Sequence, residues 1–243
     1  MPRLKHMPPL TISQNTLAEF GKKWMEKESL SRTPPYSSLE LGSVFDAAVS
    51  SSLAVMLGDI PIKEPTSRES LLPPDSDCVE MGHFRIIGGV RPQNFDVGYR
   101  PDGVRFAYDS KTLNDKKSVG KNWQNMVNDL STEATTVHYR FPHAVVGFLI
   151  AIPKPCVSEP RLSAMIETLE RLGRRFNTSN SFHLAEAVTL LIWNPDDGTI
   201  ESDIPNKESS LRIEKFSEQV ELAYVSRYKG LPPHTEDNND KEE

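Results

Sequence analysis

Apolar residues recur every three or four positions in five stretches of the chain, and this spacing predicts amphipathic helices. The stretches are residues 13–28, 37–57, 119–130, 158–176 and 218–228. The second stretch opens with Ser37-Ser38-Leu39-Glu40, a capping-box pattern that marks the start of a helix. Apolar side chains cover much of this helix, so we expect it to be mostly buried.

Five other stretches are short, apolar and rich in β-branched or aromatic residues, which predicts strands. They are residues 83–90, 95–100, 104–113, 144–153 and 186–193. Consecutive strands followed by alternating helices and strands predict an α/β fold, with a mixed central β-sheet flanked by helices on both faces. The first helix is expected to form an N-terminal extension. The proline-rich connection at 59–79 lacks a period, and we expect it on the substrate side.

Asp102-Gly103 lies between two alternating strands and predicts a tight hairpin with a type I′ turn. A two-residue turn at these positions determines which residues face each other. The predicted pairs are Phe95–Ser110, Asp96–Asp109, Val97–Tyr108, Gly98–Ala107, Tyr99–Phe106 and Arg100–Arg105. In this register Asp102 serves the turn, and the apolar pairs share one face of the hairpin.

The facing acids Asp96 and Asp109 are the informative feature of this hairpin. Directly opposed Cβ atoms are about 5 Å apart, and like charges at that distance destabilise a sheet. Lys111, on the same side, supplies one positive charge, and a divalent metal that bridges both carboxylates would supply the rest. Oxygen ligands favour Mg²⁺, with Mn²⁺ as a substitute. The alternative is that both acids lie on a solvated face and pair weakly with nearby bases.

A carboxylate on one strand, a hairpin, and then Asp109-Ser110-Lys111 resemble the PD-(D/E)xK nuclease superfamily, which has the restriction endonuclease-like fold. The predicted order of elements over residues 37–193 resembles that family as well. One departure is that Pro101-Asp102 falls in the turn, while the strand acid follows Phe95. The resemblance implies a metal-dependent endonuclease that hydrolyses DNA phosphodiester bonds, of restriction or defence type.

The resemblance also implies roles for individual residues. Asp96 and Asp109 would bind the metal through their carboxylates, and Ser110 would add its main-chain carbonyl oxygen. Lys111 would orient or deprotonate the attacking water. Glu40, on the helix before the strands, would be a further catalytic acid near the metal, whereas its capping-box position gives it a structural alternative.

Charge is distributed unevenly, so the net charge of −6 does not exclude a nucleic-acid partner. The last eight residues hold five acids and one lysine, whereas residues 100–124 hold six bases and three acids. Lys117, Lys121, Asn122 and Gln124 lie near the start of the helix that follows the hairpin, and we expect them to contact DNA. An ordinary polar helix face is the alternative for these four residues.

No stretch approaches the roughly 18 apolar residues that cross a bilayer, and the first residues lack the apolar core of a signal peptide. The cysteines, Cys78 and Cys156, fit neither a disulfide framework nor a zinc motif. We therefore expect a cytoplasmic protein without a membrane partner. Residues 1–36 should form an arm and a helix, residues 37–230 the catalytic domain, and residues 231–243 a disordered acidic tail.

A second function remains open at this stage. The chain could be a nucleic-acid-binding or assembly protein that keeps the nuclease fold without catalysis. Cleavage of DNA that depends on a divalent metal would favour the nuclease, whereas salt-dependent DNA binding without cleavage would favour the alternative. A homodimer is expected if the protein cuts both strands of a symmetric site.

Overall fold

The computed structural model describes residues 4–29 and 38–234. The helices in this part of the chain are α1 (Gln14–Ser29), α2 (Ser38–Met56), α3 (Val119–Arg140), α4 (Glu159–Leu172) and α5 (Ile213–Tyr228). The strands are β1 (Ile62–Lys63), β2 (Val79–Ile87), β3 (Pro92–Tyr99), β4 (Phe106–Thr112), β5 (Val145–Pro153) and β6 (Ala187–Trp193). A short 3₁₀ turn, Lys154–Cys156, follows β5.

The strands form one mixed sheet in the order β1-β2-β3-β4-β5-β6, so neighbours in the chain are neighbours in the sheet. The β2–β3 and β3–β4 pairs are antiparallel, whereas the β1–β2, β4–β5 and β5–β6 pairs are parallel. Parallel neighbours require a crossover, and the chain places α3 between β4 and β5 and α4 between β5 and β6. The predicted mixed sheet is confirmed.

Two apolar cores lie on opposite faces of the sheet, because alternate residues of β5 contribute to different cores. On one face α2 and α5 pack, with Phe45 and Phe216 fully buried. On the other face α3 and α4 pack, with Leu130 and Met165 fully buried. Every residue of β5 is buried, as is typical of a strand covered on both faces. The α/β fold with helices on both faces is therefore confirmed.

Some element boundaries differ from those predicted. α3 extends beyond residue 130 to Arg140, α5 begins at Ile213, and α4 ends at Leu172, where Gly173 follows. The proline-rich connection contains the short edge strand β1, which the sequence did not predict. Among the described residues, no helix combines the length and the apolar character needed to span a membrane.

The β3–β4 register is confirmed where the strands pair, at Val97–Tyr108, Gly98–Ala107 and Tyr99–Phe106. The predicted type I′ turn is wrong, because Gly103 has a φ of +125° whereas Asp102 does not adopt a positive φ. The Arg105 N–H donates to the main-chain oxygen of Tyr99 at 3.0 Å and closes a wider loop. Arg105 Nε also donates to the Asp102 carboxylate at 2.8 Å, so Asp102 remains a turn residue.

The two hairpin strands separate at their open end, beyond the Val97–Tyr108 pair. From there β3 continues along β2, where Phe95 pairs with Phe84. The predicted Phe95–Ser110 pair is wrong, because Phe95 turns into the core beneath α3. At the other end, the predicted Arg100–Arg105 contact is replaced by separate ion pairs, in which Arg100 binds Glu80 through two hydrogen bonds of 2.6 and 2.7 Å.

α1 is part of the packed domain rather than an appended extension. Phe20 joins the core that α2 and α5 share. The indole N–H of Trp24 donates to the main-chain oxygen of Asn114 at 2.7 Å, which ties α1 to the segment after β4. Gly21 permits a close approach to the segment after β6, because a Cβ there would lie 1.8 Å from the main-chain oxygen of Pro195.

Part of the expected acidic tail also belongs to the domain. His234 is buried, and its Nε2 lies 2.8 Å from the hydroxyl oxygen of Tyr224 on α5. The main-chain oxygen of Pro232 accepts a hydrogen bond from the Arg105 guanidinium. Residues 235–243 lie outside the described residues, as do residues 1–3 and 30–37.

A buried ion network joins α3, β5 and α5. The Glu186 carboxylate accepts hydrogen bonds from Arg175 Nη1 at 2.6 Å and from the Val146 N–H at 2.8 Å, and Arg227 Nη1 lies 2.8 Å from it. His138 Nε2 lies 3.2 Å from the same carboxylate, so this histidine has a structural role. Burial alone would raise the pKa of Glu186, yet His138 and Arg227 hold that pKa below its usual value.

The close approach of Gly21 on α1 to the main chain of Pro195 leads to a testable prediction. Gly21→Ala should lower the free energy of unfolding by roughly 1–3 kcal/mol, because the new methyl group meets rigid main chain. Gly120→Ala in α3 is the matched control, since the nearest atom to its Cβ is the flexible end of Arg161 at 2.8 Å. The control should unfold within about 1 kcal/mol of wild type in a urea titration. Equal stabilities for the two variants would contradict the packing of α1.

Candidate functional site

Asp96 on β3 and Asp109 on β4 meet where the two strands separate. Each residue is 7% exposed, and their carboxyl groups are hydrogen-bonded to each other. The Ser110 N–H donates to Asp96 Oδ2 at 3.2 Å, and the Ser110 hydroxyl lies 3.4 Å from the same oxygen. The structure therefore brings together the three residues that the sequence analysis named as metal ligands.

The side chain of Lys111 connects β4 with α3. Its ammonium group contacts the Asp109 carboxylate and donates to Glu133 Oε1 at 2.9 Å. Gln93 Nε2 donates to the same Glu133 oxygen at 3.0 Å. Glu133 is only 2% exposed, so α3 supplies a buried carboxylate directly to the lysine expected to be catalytic.

α2 contributes another acid, Asp46, from the opposite face of the sheet. The Asp46 side chain lies beside that of Ser110, which lowers the pKa of Asp46, and it interacts electrostatically with Asp109, which raises that pKa. Gly42, one turn earlier, allows α2 to approach β4 closely, because a Cβ there would lie 3.1 Å from Ser110 Oγ. Among the described residues, Asp46 Oδ1 is buried and finds no hydrogen-bond partner.

A β-bulge in β2 places His83 beside Asp96. The β2–β3 register shifts between Met81 and Phe84, and Gly82 within the bulge has a φ of +123°, a conformation that favours glycine. His83 Nδ1 lies 2.8 Å from Asp96 Oδ1. The imidazole is partly exposed, so it faces solvent as well as the buried acid.

A cleft of about 510 Å³ opens between α2 and α3 at this point. It is lined by Gly42, Ser43, Asp46, Gly82, His83, Asp96, Ser110, Lys111, Thr112, Leu113, Asn122, Asn125, Met126 and Asp129. Its volume lies in the usual range for ligand sites. Residues 71–73 of the proline-rich connection line a separate groove beside Gly103, whereas Pro65 of the same connection approaches Gly82 in the cleft lining. The expected position of that connection on the substrate side stays a prediction.

Four carboxyl groups form what we call the acidic cluster: Asp46, Asp96, Asp109 and Glu133. Burial, followed by the hydrogen bond and charge of Asp109, raises the pKa of Asp96 to about 9. Burial is also the main cause of the raised pKa of Asp46. For Glu133, burial and then the charge of Asp109 raise the pKa, although Lys111 opposes this. The acidic cluster therefore contains more carboxyl groups than the single ammonium group of Lys111 can neutralise.

The state of Lys111 bears on its expected role in catalysis. Burial by itself would lower the pKa of Lys111, but the charges of Asp109 and Glu133 raise that pKa above its usual value. The side chain is thus an ammonium ion throughout the neutral pH range. This favours a role in orienting water and stabilising negative charge over a role as proton acceptor.

The structure does not bring Glu40 into the cleft. Its side chain is 58% exposed, and one carboxylate oxygen lies 3.6 Å from Lys23 Nζ. Glu40 and Asp46 are six residues apart, which places them on different faces of α2. Asp46 therefore takes the place expected for Glu40. The proposed capping partner Ser37 lies outside the described residues.

Of the four residues expected to contact DNA, Asn122 lines the cleft. Lys117, Lys121 and Gln124 are exposed on or just before the first turns of α3, outside the cleft lining. Asn125 extends the polar wall that Asn122 begins, and the sequence analysis did not single it out. The α3 wall of the cleft thus carries the amide side chains of Asn122 and Asn125 rather than the lysine side chains of this helix.

The donor set fits a divalent cation, although the side chains do not form a finished cage. Within residues 4–29 and 38–234, no group of three or more His, Cys, Asp and Glu side chains is placed to hold a metal ion. The Lys111 ammonium is bound to the Asp109 carboxylate, and Asp96 is hydrogen-bonded to Asp109. A cation could bind both carboxyl groups only after these two contacts break. Carboxylate oxygens are the ligands that Mg²⁺ and Mn²⁺ take, and Asp46 Oδ1 is buried without a partner here.

The sequence analysis missed Asp46, Glu133 and His83 as well as Asn125, and the first three each have a recognisable signal. Gly42 and Asp46 lie one turn apart within a helix rich in apolar residues, which indicates a close polar contact. Glu133 lies on the apolar face of α3, beyond the point where that helix was expected to end. A lone glycine within a strand, Gly82, indicates the bulge that presents His83.

The excess of acid predicts that Asp96→Asn stabilises the metal-free protein. An acid whose pKa is higher in the folded than in the unfolded state contributes stability at low pH, and that contribution is lost as the pH rises. With a folded pKa of about 9 for Asp96, the advantage of asparagine should grow between pH 5 and pH 8 by up to roughly 1.4 kcal/mol per pH unit.

Thermal unfolding in EDTA at both pH values measures this effect. Asp129→Asn is the control, because this acid lines the same cleft but is exposed on α3. The control should show no growing advantage over the same pH range. A destabilised Asp96→Asn variant at pH 8 would contradict the repulsion assigned to the acidic cluster.

Comparisons with known proteins add no relative to this description. No family model, no curated protein and no solved structure matches the chain. The family is therefore not shown by similarity. The acidic cluster, Lys111 and the adjoining cleft are therefore the features that indicate a function.

Proposed function

We propose that this chain is a divalent-metal-dependent endodeoxyribonuclease with a restriction endonuclease-like core. The observation that carries the proposal is the contact between the buried carboxyl groups of Asp96 and Asp109, with Lys111 two residues further along β4. Burying two carboxyl groups in contact costs stability, because at least one of them must stay protonated or be paired with a cation, and groups with strongly shifted pKa values in a cleft are typical of catalytic sites.

The architecture supports the proposal. Antiparallel β2, β3 and β4 are followed by parallel β5 and β6, with α2 on one face of the site and α3 on the other. This is the order of elements that the resemblance to the PD-(D/E)xK superfamily implies. In this order, α2, β3 and α3 bring Asp46, Asp96 and Glu133 to Asp109 and Lys111 on β4.

Each residue of the site has a role in this proposal. Asp96 and Asp109 would hold the cation with their carboxylates, together with the main-chain oxygen of Ser110. The cation, when bound, supplies charge neutralisation and Lewis acidity at the scissile phosphate. The Lys111 ammonium orients the attacking water and stabilises negative charge that develops on the phosphate. Glu133 holds that ammonium in place.

The α3 wall of the cleft supports a nucleic-acid substrate. Asn122 and Asn125 place amide groups in the cleft, and Lys117 and Lys121 are exposed near the start of the same helix. Phosphate contacts of this kind position a duplex without reading its sequence. Cutting both strands of a symmetric site would require a second copy of the chain related by twofold symmetry.

A catalytically silent nucleic-acid-binding or assembly protein is the alternative. The contact between Lys111 and Asp109 favours it, because the lysine neutralises a carboxylate that the metal needs. Such a protein would bind DNA with a strong dependence on salt, equally well in EDTA and in Mg²⁺, and would leave the DNA intact.

Two variants test the nuclease. Asp109→Asn removes a charged ligand, so both the affinity for Mn²⁺ and the rate of plasmid cleavage should fall. Lys111→Met keeps the carboxylates and removes a competing positive charge, so Mn²⁺ should bind at least as tightly while the cleavage rate falls by about 100-fold or more. Calorimetric Mn²⁺ titrations and a plasmid-nicking assay in Mg²⁺ and in Mn²⁺ measure these quantities.

Lys22→Met is the matched control, because Lys22 is exposed on α1 and does not line the cleft. This variant should bind metal and cut DNA like wild type. Plasmid cleavage by Lys111→Met at the wild-type rate would rule out the assignment of this hairpin to catalysis.

A further inference from the structure

We propose that His83 is a nitrogen ligand of the cation that Asp96 binds, and that the site therefore prefers a transition-metal dication such as Mn²⁺ to Mg²⁺. This inference rests on the proposed metal-dependent function and identifies the metal it uses. The ligands expected from the sequence are oxygen atoms alone, which favour Mg²⁺ with Mn²⁺ as a substitute and give no preference for Mn²⁺.

The distance between the imidazole nitrogen of His83 and the carboxylate oxygen of Asp96 supports this role. His83 Nδ1 and Asp96 Oδ1 are 2.8 Å apart. In an octahedral shell with bonds of about 2.1 Å, neighbouring ligand atoms are roughly 3 Å apart. The two atoms thus have the separation of adjacent ligands. For both to bind one cation, the imidazole would turn so that its nitrogen faces the ion beside the line to Asp96, and the proton that joins them would be released to solvent.

The side of the Asp96 carboxylate that faces His83 is the side from which a cation would bind. Asp96 Oδ2 accepts hydrogen bonds from the N–H and the hydroxyl of Ser110. Asp96 Oδ1 faces His83, and both residues line the cleft. A cation that enters from the cleft therefore reaches the imidazole nitrogen and the carboxylate oxygen together.

The backbone of β2 is specialised to present His83. The strand leaves its register with β3 at residues 82 and 83 and resumes it at Phe84, which is fully buried. Gly82 takes the positive φ that this bulge needs, and a Cβ there would also approach Pro65 to 3.2 Å. Bulges redirect side chains and occur often beside active sites. Here the bulge turns an imidazole towards the acidic cluster.

An imidazole ligand changes which ion the site prefers. Mg²⁺ prefers oxygen ligands and gives up its waters reluctantly. Transition-metal dications accept imidazole nitrogen alongside carboxylate oxygen. A site that combines His83 with Asp96 and Asp109 should therefore bind Mn²⁺ more tightly than Mg²⁺, while the carboxylates alone would discriminate little between the two ions.

Mn²⁺ and Mg²⁺ binding to wild type and to His83→Gln tests this inference. The loss of the free Mn²⁺ signal in electron paramagnetic resonance gives the Mn²⁺ affinity, and competition gives the Mg²⁺ affinity. We expect wild type to prefer Mn²⁺ and the variant to lose roughly tenfold or more of that preference, chiefly through weaker Mn²⁺ binding. His183→Gln, at an exposed position, is the control and should keep the wild-type ratio.

A second measurement needs no variant. Pulsed electron paramagnetic resonance of Mn²⁺-loaded wild type should show coupling to an imidazole ¹⁴N nucleus. Absence of that coupling, or an unchanged affinity ratio in His83→Gln, would overturn the ligand role, as would an equal loss of both affinities, which indicates that His83 only positions Asp96. Metal-dependent plasmid cleavage that persists with any of these results would leave the nuclease in place, whereas failure of the nuclease appears in the Asp109 and Lys111 variants.

Discussion

The meeting of two buried carboxyl groups at the open end of one hairpin is the constraint on which this site depends. Asp96 and Asp109 belong to neighbouring strands whose apolar residues fix the register, so the acids cannot move apart without disrupting Val97, Tyr108 and their neighbours. The acids are instead accommodated locally. Ser110 donates to one oxygen of Asp96, and β3 and β4 separate just beyond the last paired residues. That separation helps to open the cleft.

The elements around β4 bring further acidic side chains towards Asp96 and Asp109. α2 brings Asp46 from one face, and α3 brings Glu133 from the other. Among the described residues, Lys111 is the close partner of the acidic cluster that carries a permanent positive charge. A protein selected for stability alone would place apolar side chains here, because replacing buried charges in this way is often neutral or stabilising. The surplus of acid is therefore better explained by a cation that is bound during function than by the needs of the fold.

The sequence predicted what depends on alternation and missed what depends on packing. The β3–β4 register followed from residues 97 to 108, because each one-residue slip would move apolar side chains out of the core. The turn type did not follow, because the Asp102 carboxylate binds Arg105 and holds a wider loop. Glu40 was named because the resemblance implies an acid on the first helix, whereas the helix face that meets the site depends on where Gly42 lets α2 approach Ser110.

A site with surplus charge needs a rigid frame, and the structure supplies one on both sides of the sheet. The buried Glu186 network joins α3 to β5 and α5, and Trp24 ties α1 to the main chain just after β4. Both contacts act on elements that carry or adjoin the acidic cluster. His138 anchors α3 five residues beyond Glu133, the residue that contacts the Lys111 ammonium. The stability of this frame is what lets the hairpin keep its two acids in contact.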